Sequence, residues 1–243
     1  MRDMEWSDKG VVLSARRHGE NSSLVMLFTE AHGRHAGLVR GGQGLRARGL
    51  FQTGNLVSAV WRARLEAHLG NFRCELLQAH ASELLDDALR LSALSSACAL
   101  VEAVLPERHP YPELYLHFAQ LGNEIAHDDG WGASYARFEL ELLAELGFGL
   151  DLTACAVTGE VADLRYVSPR TGRAVSTAAG RDWRDKLLPL PEFLWSSNSA
   201  MPQKKALREA LYLTGWFLAA HIFAESGLPP ARERFIERLQ RAG

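Results

Sequence analysis

A glycine-rich segment at residues 40–49, Arg-Gly-Gly-Gln-Gly-Leu-Arg-Ala-Arg-Gly, offers the clearest chemistry in the sequence. A Walker loop ends in Gly-Lys-Ser/Thr, and a dinucleotide loop needs a third glycine where a helix begins; the segment has neither. Its arginines, Arg40, Arg46 and Arg48, instead supply forked donors for phosphate, and glycine lets the main chain approach closely. The segment predicts a flexible loop that contacts a nucleic-acid backbone, with a solvated surface loop as the alternative.

Two more arginines, Arg62 and Arg64, lie on the polar side of an alternating segment. The apolar side carries Val57, Ala59, Trp61, Ala63 and Leu65. This period of two predicts a half-buried strand with arginines on its outer face and Trp61 in the core. Arg40, Arg46, Arg48, Arg62 and Arg64 are therefore the candidate contacts to a DNA backbone, and we expect their affinity to be independent of base sequence.

Groups that could catalyse a reaction or bind a metal are scattered. The cysteines, Cys74, Cys98 and Cys155, are too far apart for a zinc pair and too few for a disulfide framework. No Gly-x-Ser-x-Gly signature is present, and the helical carboxylates Glu139, Glu141 and Glu145 are predicted to face solvent. We therefore predict a protein that is not an enzyme and that has no cofactor.

The composition is that of an ordinary globular protein: 243 residues, of which 47% are apolar and 23% are charged. The first 80 residues carry 11 Lys+Arg against 7 Asp+Glu, whereas the remainder carries 16 against 22. This asymmetry indicates that the first third is the part that approaches a polyanion. The sequence has no signal-peptide pattern and no long apolar run, so we expect a cytoplasmic protein without a membrane contact.

The periodicity changes near residue 80. Before it, five short alternating segments predict the strands of a small barrel, and the oligonucleotide-binding (OB) fold is one such barrel. After it, the period becomes 3.6 and predicts helices: the first is capped by Ser82 and runs to Pro106, the second covers 112–127, the third starts near Ser134 and ends at Gly147, and two more cover 207–222 and 231–241. A hairpin is predicted from Leu164–Val167 and residues 173–176.

Several motifs carry a resemblance to a known family. The run Arg-Phe-Glu-Leu-x-Leu-Leu-x-Glu-Leu-Gly-Phe-Gly-Leu-Asp-Leu begins at Arg137 and is followed by Cys155 and by Tyr-x-Ser-Pro-Arg-x-Gly from Tyr166. Gly-Glu-Asn-Ser-Ser-Leu at 19–24 and Ala-Arg-Glu-Arg-Phe at 231–235 agree with it. Over nearly its whole length the chain resembles RecO, a family of bacterial recombination mediators and DNA-repair proteins.

The resemblance implies an α+β fold: an N-terminal five-stranded OB-type β-barrel over residues 1–80, then a mainly α-helical domain over 81–243 with a β-hairpin insertion around 153–180. It implies binding to single- and double-stranded DNA, annealing of complementary strands, and recombinase loading with RecR onto DNA coated by single-stranded-DNA-binding protein (SSB). In the family the helical domain captures the acidic, phenylalanine-ended SSB tail. Arg137, near the predicted start of the third helix, is the candidate partner of the tail carboxylate, and an ion pair with Glu141 is the alternative.

The chain departs from the family at the zinc-bearing hairpin. Cys155 stands at a ligand position, but Thr158 takes the place of its partner and residues 176–179 contain no thiolate. A structural zinc needs four ligands, so the resemblance predicts a degenerate hairpin with no metal.

Two other functions stay open from the sequence. A nucleic-acid-processing enzyme would use the barrel as a substrate-binding accessory, and a protein-interaction adaptor would not touch DNA. The enzyme would need a cluster of acid, base or metal-binding groups, which the sequence does not show.

Overall fold

The structure, a computed structural model, describes residues 4–65, 67–196 and 201–241. The chain divides into two compact units. The first contains the residues up to His127 together with Pro229–Phe235, and the second contains Asp128–Leu228 and the residues from Ile236 onward.

Five strands form a closed barrel at the start of the first unit. They are β1 (Met4–His18), β2 (Ser22–Thr29), β3 (Gly33–Arg40), β4 (Leu56–Ala63) and β5 (Asn71–Gln78). Neighbouring strands are antiparallel, except that β3 and β5 close the barrel through a short parallel contact between Leu38 and Asn71. The predicted five-stranded barrel is confirmed.

The length of β1 makes closure possible. Its first half pairs with β4 and its second half pairs with β2, and the register shifts between Val12 and Ser14. A bulge of this kind bends a strand and lets it belong to two neighbours, which a small barrel requires. The enclosed core is apolar and consists of Val12, Val25, Leu27, Val39, Phe51, Val57, Ala59, Trp61, Ala63 and Phe72.

The segment that was predicted to be a flexible loop is partly helical. Helix α1 (Leu45–Leu50) follows residues 41–44 and places Ala47, Leu50 and the adjoining Phe51 against the barrel core. The loop prediction is wrong here because these apolar residues gain burial only when the segment coils over the open end of the barrel. Leu65, predicted to be on the buried side of β4, lies beyond the strand and is exposed.

Three helices complete the first unit: α2 (His80–Glu83), α3 (Ala88–Val104) and α4 (Pro112–His127). The cap predicted at Ser82 is wrong. Asp87 caps α3 instead, because its carboxylate accepts hydrogen bonds from the amides of Leu89 and Arg90 at 3.1 and 3.0 Å. Pro106 stands just beyond the end of α3, as expected.

The second unit contains α5 (Trp131–Glu145), α6 (Thr177–Gly180), α7 (Lys204–Phe217) and the end of α8 (Pro230–Arg241). A single π-helical stretch, Leu218–Ile222, continues α7. The predicted hairpin is confirmed as β6 (Leu164–Val167) and β7 (Ala174–Ser176). A two-residue strand, β8 (Leu188–Pro189), pairs with the other edge of β6 and was not predicted.

Glu139 corrects a sequence-based expectation. Its side chain was predicted to face solvent, but it is fully buried in the second unit and accepts a hydrogen bond from the hydroxyl of Thr214 on α7. Glu141 is half-buried and Glu145 is exposed. A buried carboxylate needs a hydrogen-bond partner, and the sequence of one helix does not show that its partner lies on another helix.

The observed fold is α+β, as predicted, with an OB-type barrel followed by helices and a hairpin insertion. Within the described residues, no helix has both the length and the apolar character needed to cross a membrane.

A buried histidine makes the stability of the first unit depend on pH. His80 is 2% exposed, and both of its ring nitrogens lack a hydrogen-bond partner. Its Nδ1 lies 3.8 Å from Oε2 of Glu83, which also lies 3.4 Å from Nε2 of His127. Burial lowers the pKa of His80, and the attraction of Glu83 offsets only part of that effect.

We expect acid to destabilise this unit. Because the folded state keeps His80 neutral while the unfolded chain protonates it near pH 6.5, stability should fall as the pH drops below about 6.5. Chemical denaturation between pH 7.5 and 5.5 measures this dependence. His80→Leu should flatten it, whereas His18→Gln, at an exposed histidine, should not. An unchanged slope in a folded His80→Leu protein would contradict the assignment.

Candidate nucleic-acid interface

The outer face of the barrel brings two of the candidate arginines close to each other. Leu38 pairs with Asn71 on β5, and Asn71 pairs with Arg62 on β4. Arg40 is two residues beyond Leu38, so it points to the same side of β3. Arg40 and Arg62 are both exposed, and the register places Arg62 level with Leu38, two residues before Arg40 and two strands away.

Arg62 differs from the other candidates in its charge environment. Its guanidinium forms an ion pair with Glu5 on β1, its cross-strand neighbour. Arg64, just beyond β4, is exposed. Arg62 is therefore partly neutralised, and we expect it to contribute less to the attraction of a polyanion.

Arg46 and Arg48 lie on α1 and point away from the barrel core, which the neighbouring Ala47 contacts. Both are exposed, and neither they nor Arg40 form an ion pair with any residue that the structure describes. The positive charges of Arg40, Arg46 and Arg48 are therefore not balanced by a described acidic group, and the three residues lie in order along the segment that begins at the end of β3.

Sequence reasoning missed two exposed arginines of the barrel. Arg73 lies on the outer side of β5, one residue from Phe72, which points into the core. Arg17 is at the end of β1, where its neighbour Arg16 pairs with Glu102 at 3.0 Å. The alternation of β5 in the sequence could have identified Arg73 as an outward-facing arginine. Only the tertiary structure shows that Arg16 pairs with an acidic residue while Arg17 does not pair with that residue.

The aromatic side chains of the barrel pack against one another. Trp61 is 1% exposed, as predicted, and donates from Nε1 to the carbonyl of Leu69 at 3.0 Å. Trp6 stacks on Trp61 with a centroid separation of 5.7 Å, and His32 stacks on Trp6 at 3.9 Å. His32 is also held by Asp8, whose carboxylate lies 3.1 Å from Nδ1. These rings stabilise the barrel rather than offer a free face to a base.

The hairpin insertion surrounds the thiol of Cys155 with hydrogen-bonding groups. Cys155 is 2% exposed, and the amide of Ser176 donates to its Sγ at 3.3 Å. Burial by itself raises the pKa of the Cys155 thiol, but hydrogen bonds from Ser176 and Thr158 lower this pKa to about 6. The turn is closed by main-chain hydrogen bonds: the amide of Cys155 donates to the carbonyl of Glu160 at 2.7 Å, and the amide of Gly159 donates to the carbonyl of Cys155 at 2.9 Å. Among the described residues, no three His, Cys, Asp or Glu side chains cluster to hold a metal.

We expect the purified protein to contain no stoichiometric zinc, because Thr158 and Ser176 present hydroxyls where thiolates are needed. Treatment with a chelator should leave its melting temperature unchanged. Elemental analysis checks the metal content directly. A value near one zinc per chain would contradict this prediction.

Arg137 lies in the middle of α5 and not near its start, because the helix begins at Trp131. Its side chain is exposed, Nη2 donates to the carbonyl of Phe193 at 2.9 Å, and the guanidinium carbon lies 5.8 Å from the centre of the Phe193 ring. Phe193 is only 3% exposed, so the guanidinium is the part of this pair that an anionic group can reach.

Fold and surface together define an α+β protein that carries arginines on an N-terminal OB-type barrel. Comparison with protein families identifies it further: residues 1–80 match the model described as Recombination protein O N terminal, and residues 85–226 match Recombination protein O C terminal. The chain belongs to the RecO family, whose general role is in DNA repair and recombination.

Individual relatives agree over nearly the full length. The chain is 50% identical to the DNA repair protein RecO of Rhodospirillum rubrum over 245 residues, which cover 98% of this chain and 97% of the relative. It is 49% identical to that of Rhodospirillum centenum and 47% identical to that of Chelativorans sp., in each case over 98% of this chain and 96% of the relative.

Proposed function

We propose that the protein is a DNA-binding recombination mediator that binds single- and double-stranded DNA and anneals complementary strands without making or breaking covalent bonds. The observation that carries the proposal is the set of exposed arginines on and beside an OB-type barrel, of which Arg40, Arg46 and Arg48 have no described ionic partner. Membership of a DNA-repair family supports it.

Annealing on such a surface requires charge and not catalysis. Two strands repel each other through their phosphates, and a cationic surface reduces that repulsion while base pairing supplies the free energy. Because guanidinium groups contact phosphates, which are the same in every sequence, binding should be independent of base sequence and strongly dependent on salt. We assign this role to residues 1–80 and place Arg40, Arg46, Arg48, Arg62 and Arg64 in it.

We assign the interactions with proteins to residues 81–243. In this proposal the protein acts in the cytoplasm, with RecR, to load the recombinase onto DNA coated by SSB. Arg137 receives the terminal carboxylate of the SSB tail.

Incubation with labelled complementary oligonucleotides, with and without magnesium, tests the proposal. Annealing with intact product supports a mediator, whereas time-dependent cleavage would identify a processing enzyme instead. A salt titration of DNA binding distinguishes the mediator and the enzyme from a protein-interaction adaptor, because the adaptor would not bind DNA even at low salt.

Arg137→Ala should weaken binding of an SSB-tail peptide by about 1–3 kcal/mol, because it removes a charge-assisted hydrogen bond to the terminal carboxylate. Fluorescence anisotropy with a labelled peptide measures the loss, and affinity for naked DNA should not change. If Arg137 only paired with Glu141, the substitution would cost a few tenths of a kcal/mol of stability, roughly the value of an exposed helix pair. Unchanged peptide affinity in a folded variant would contradict the assignment.

A further inference from the structure

A solvent-open cleft of about 410 Å³ lies within the first unit, between the end of the barrel and the helices that follow it. Its lining includes two cations, Arg17 from β1 and Arg48 from α1. The lining also includes the apolar side chains of Phe51, Leu85 and Leu91. A cleft of this size, lined by both cations and hydrocarbon, fits a small ligand that has an anionic group and a flat apolar body.

The cleft is held in shape by a fully buried polar residue. Asn55 donates from Nδ2 to the carbonyls of Gly49 and Leu50, at 3.0 and 3.1 Å, and accepts the amide of Ala81 at 3.1 Å. One side chain therefore joins the end of α1 to the start of α2. Such a connection fixes the distance between the two sides of the cleft before any ligand binds, which lowers the entropic cost of binding.

The rim on the barrel side is also fixed. Gln43 donates from its amide nitrogen to the carbonyl of Ser22 and to the hydroxyl of Ser23, both at 3.0 Å. Gly42 allows this close contact, because a Cβ at that position would lie 2.7 Å from the Ser23 hydroxyl. Residues 42–43 are thereby held against β2, next to the arginines of the segment that covers the barrel.

The two adjacent arginines of β1 have different surroundings. Arg16 is paired with Glu102 on α3 at 3.0 Å. Arg17 borders the cleft, and the hydrogen bond that its side chain makes to a described residue runs from Nε to the carbonyl of Gly19 at 3.3 Å, so both terminal nitrogens are available to an anion.

We propose that this cleft binds one unstacked nucleotide of single-stranded DNA, with its phosphate between Arg17 and Arg48 and its base against Leu85 and Leu91. The assignment rests on the proposed DNA binding and adds a strand preference to it. A base inside a duplex is paired and stacked and cannot enter a cleft of this size, so only single strands place a base in the cleft, while the exposed arginines, Arg48 among them, contact the phosphates of both forms.

Two pairs of variants test the assignment. Leu85→Glu puts a carboxylate in the apolar lining at a position that is 64% exposed, and Leu116→Glu makes the same change at a 49% exposed position on α4, outside the cleft. Arg17→Ala removes a cleft cation, and Arg16→Ala removes the same charge one residue away. Each is measured against a single-stranded oligonucleotide that contains several 2-aminopurines and against a duplex of the same length.

We expect Leu85→Glu and Arg17→Ala to weaken single-strand binding by about fivefold or more, and duplex binding by less than about twofold. Both should reduce the rise in 2-aminopurine fluorescence that reports unstacking, and the two control variants should behave like the unmodified protein. If all four variants behave alike while the unmodified protein binds DNA, the cleft assignment fails and the proposed function survives.

Two further outcomes are distinguishable from that one. If the unmodified protein binds neither strand form, the proposed function fails and the cleft assignment fails with it. Micromolar binding of free dAMP that Leu85→Glu abolishes would assign the cleft to a soluble nucleotide and would overturn its assignment to DNA.

Discussion

Replacement of Arg46 and Arg48 by alanine is expected to weaken binding to both single- and double-stranded DNA by about tenfold at moderate salt. Both side chains are exposed on α1 and lack an ionic partner among the described residues, so their charge is fully available to phosphate. Each contact that is lost should reduce the slope of log affinity against log salt by about one unit or less. Affinity measured by fluorescence anisotropy at several salt concentrations gives both quantities.

The matched control is the double change Arg170→Ala with Arg181→Ala, which removes the same charge from two exposed arginines of the second unit that likewise lack an ionic partner among the described residues. It should leave DNA affinity nearly unchanged. Arg62→Ala should have a smaller effect than either α1 arginine, because Glu5 already compensates that charge. If the α1 double variant keeps the original affinity and salt slope, the DNA site is elsewhere.

Trp61→Ala is expected to lower the free energy of unfolding by about 3–5 kcal/mol, the usual range for removal of a large buried aromatic side chain. The indole is 1% exposed, stacks with Trp6 and contacts the edge of His35. The main chain at Gly70 also packs closely against the indole. Gly70 has a positive φ, and a Cβ at this position would lie 2.4 Å from the indole ring. Chemical denaturation followed by circular dichroism measures the loss.

Trp183→Ala provides the comparison, because this tryptophan is 58% exposed and carries the amino group of Lys186 over its ring, 5.2 Å from the centre. It should change stability by less than about 1 kcal/mol. If the two variants were equally stable, the packing of Trp61 against Trp6, His35 and Gly70 would not contribute substantially to the stability of the barrel.

The sequence by itself determined the elements whose periodicity is regular. The alternation of β4 placed Val57, Ala59 and Trp61 in the core, because in a half-buried strand each side chain is either inside or outside. The motifs from Arg137 to Gly172 identified the family, and the turn between β6 and β7 followed from a proline and a glycine. These features depend on neighbours in the chain, so local reasoning reaches them.

The tertiary structure alone decided features that depend on distant partners. Glu139 is buried because Thr214, 75 residues away, donates to it, and α1 is helical because the open end of the barrel covers its apolar side. The five candidate arginines looked alike in the sequence, but folding places Glu5 beside Arg62 and leaves Arg46 and Arg48 uncompensated. Beside the cleft that Arg17 borders, Asn55 joins α1 to α2, whose residues are about 30 positions apart in the chain. Charge compensation and cavities arise from contacts between segments far apart in the chain, and no local pattern specifies such contacts.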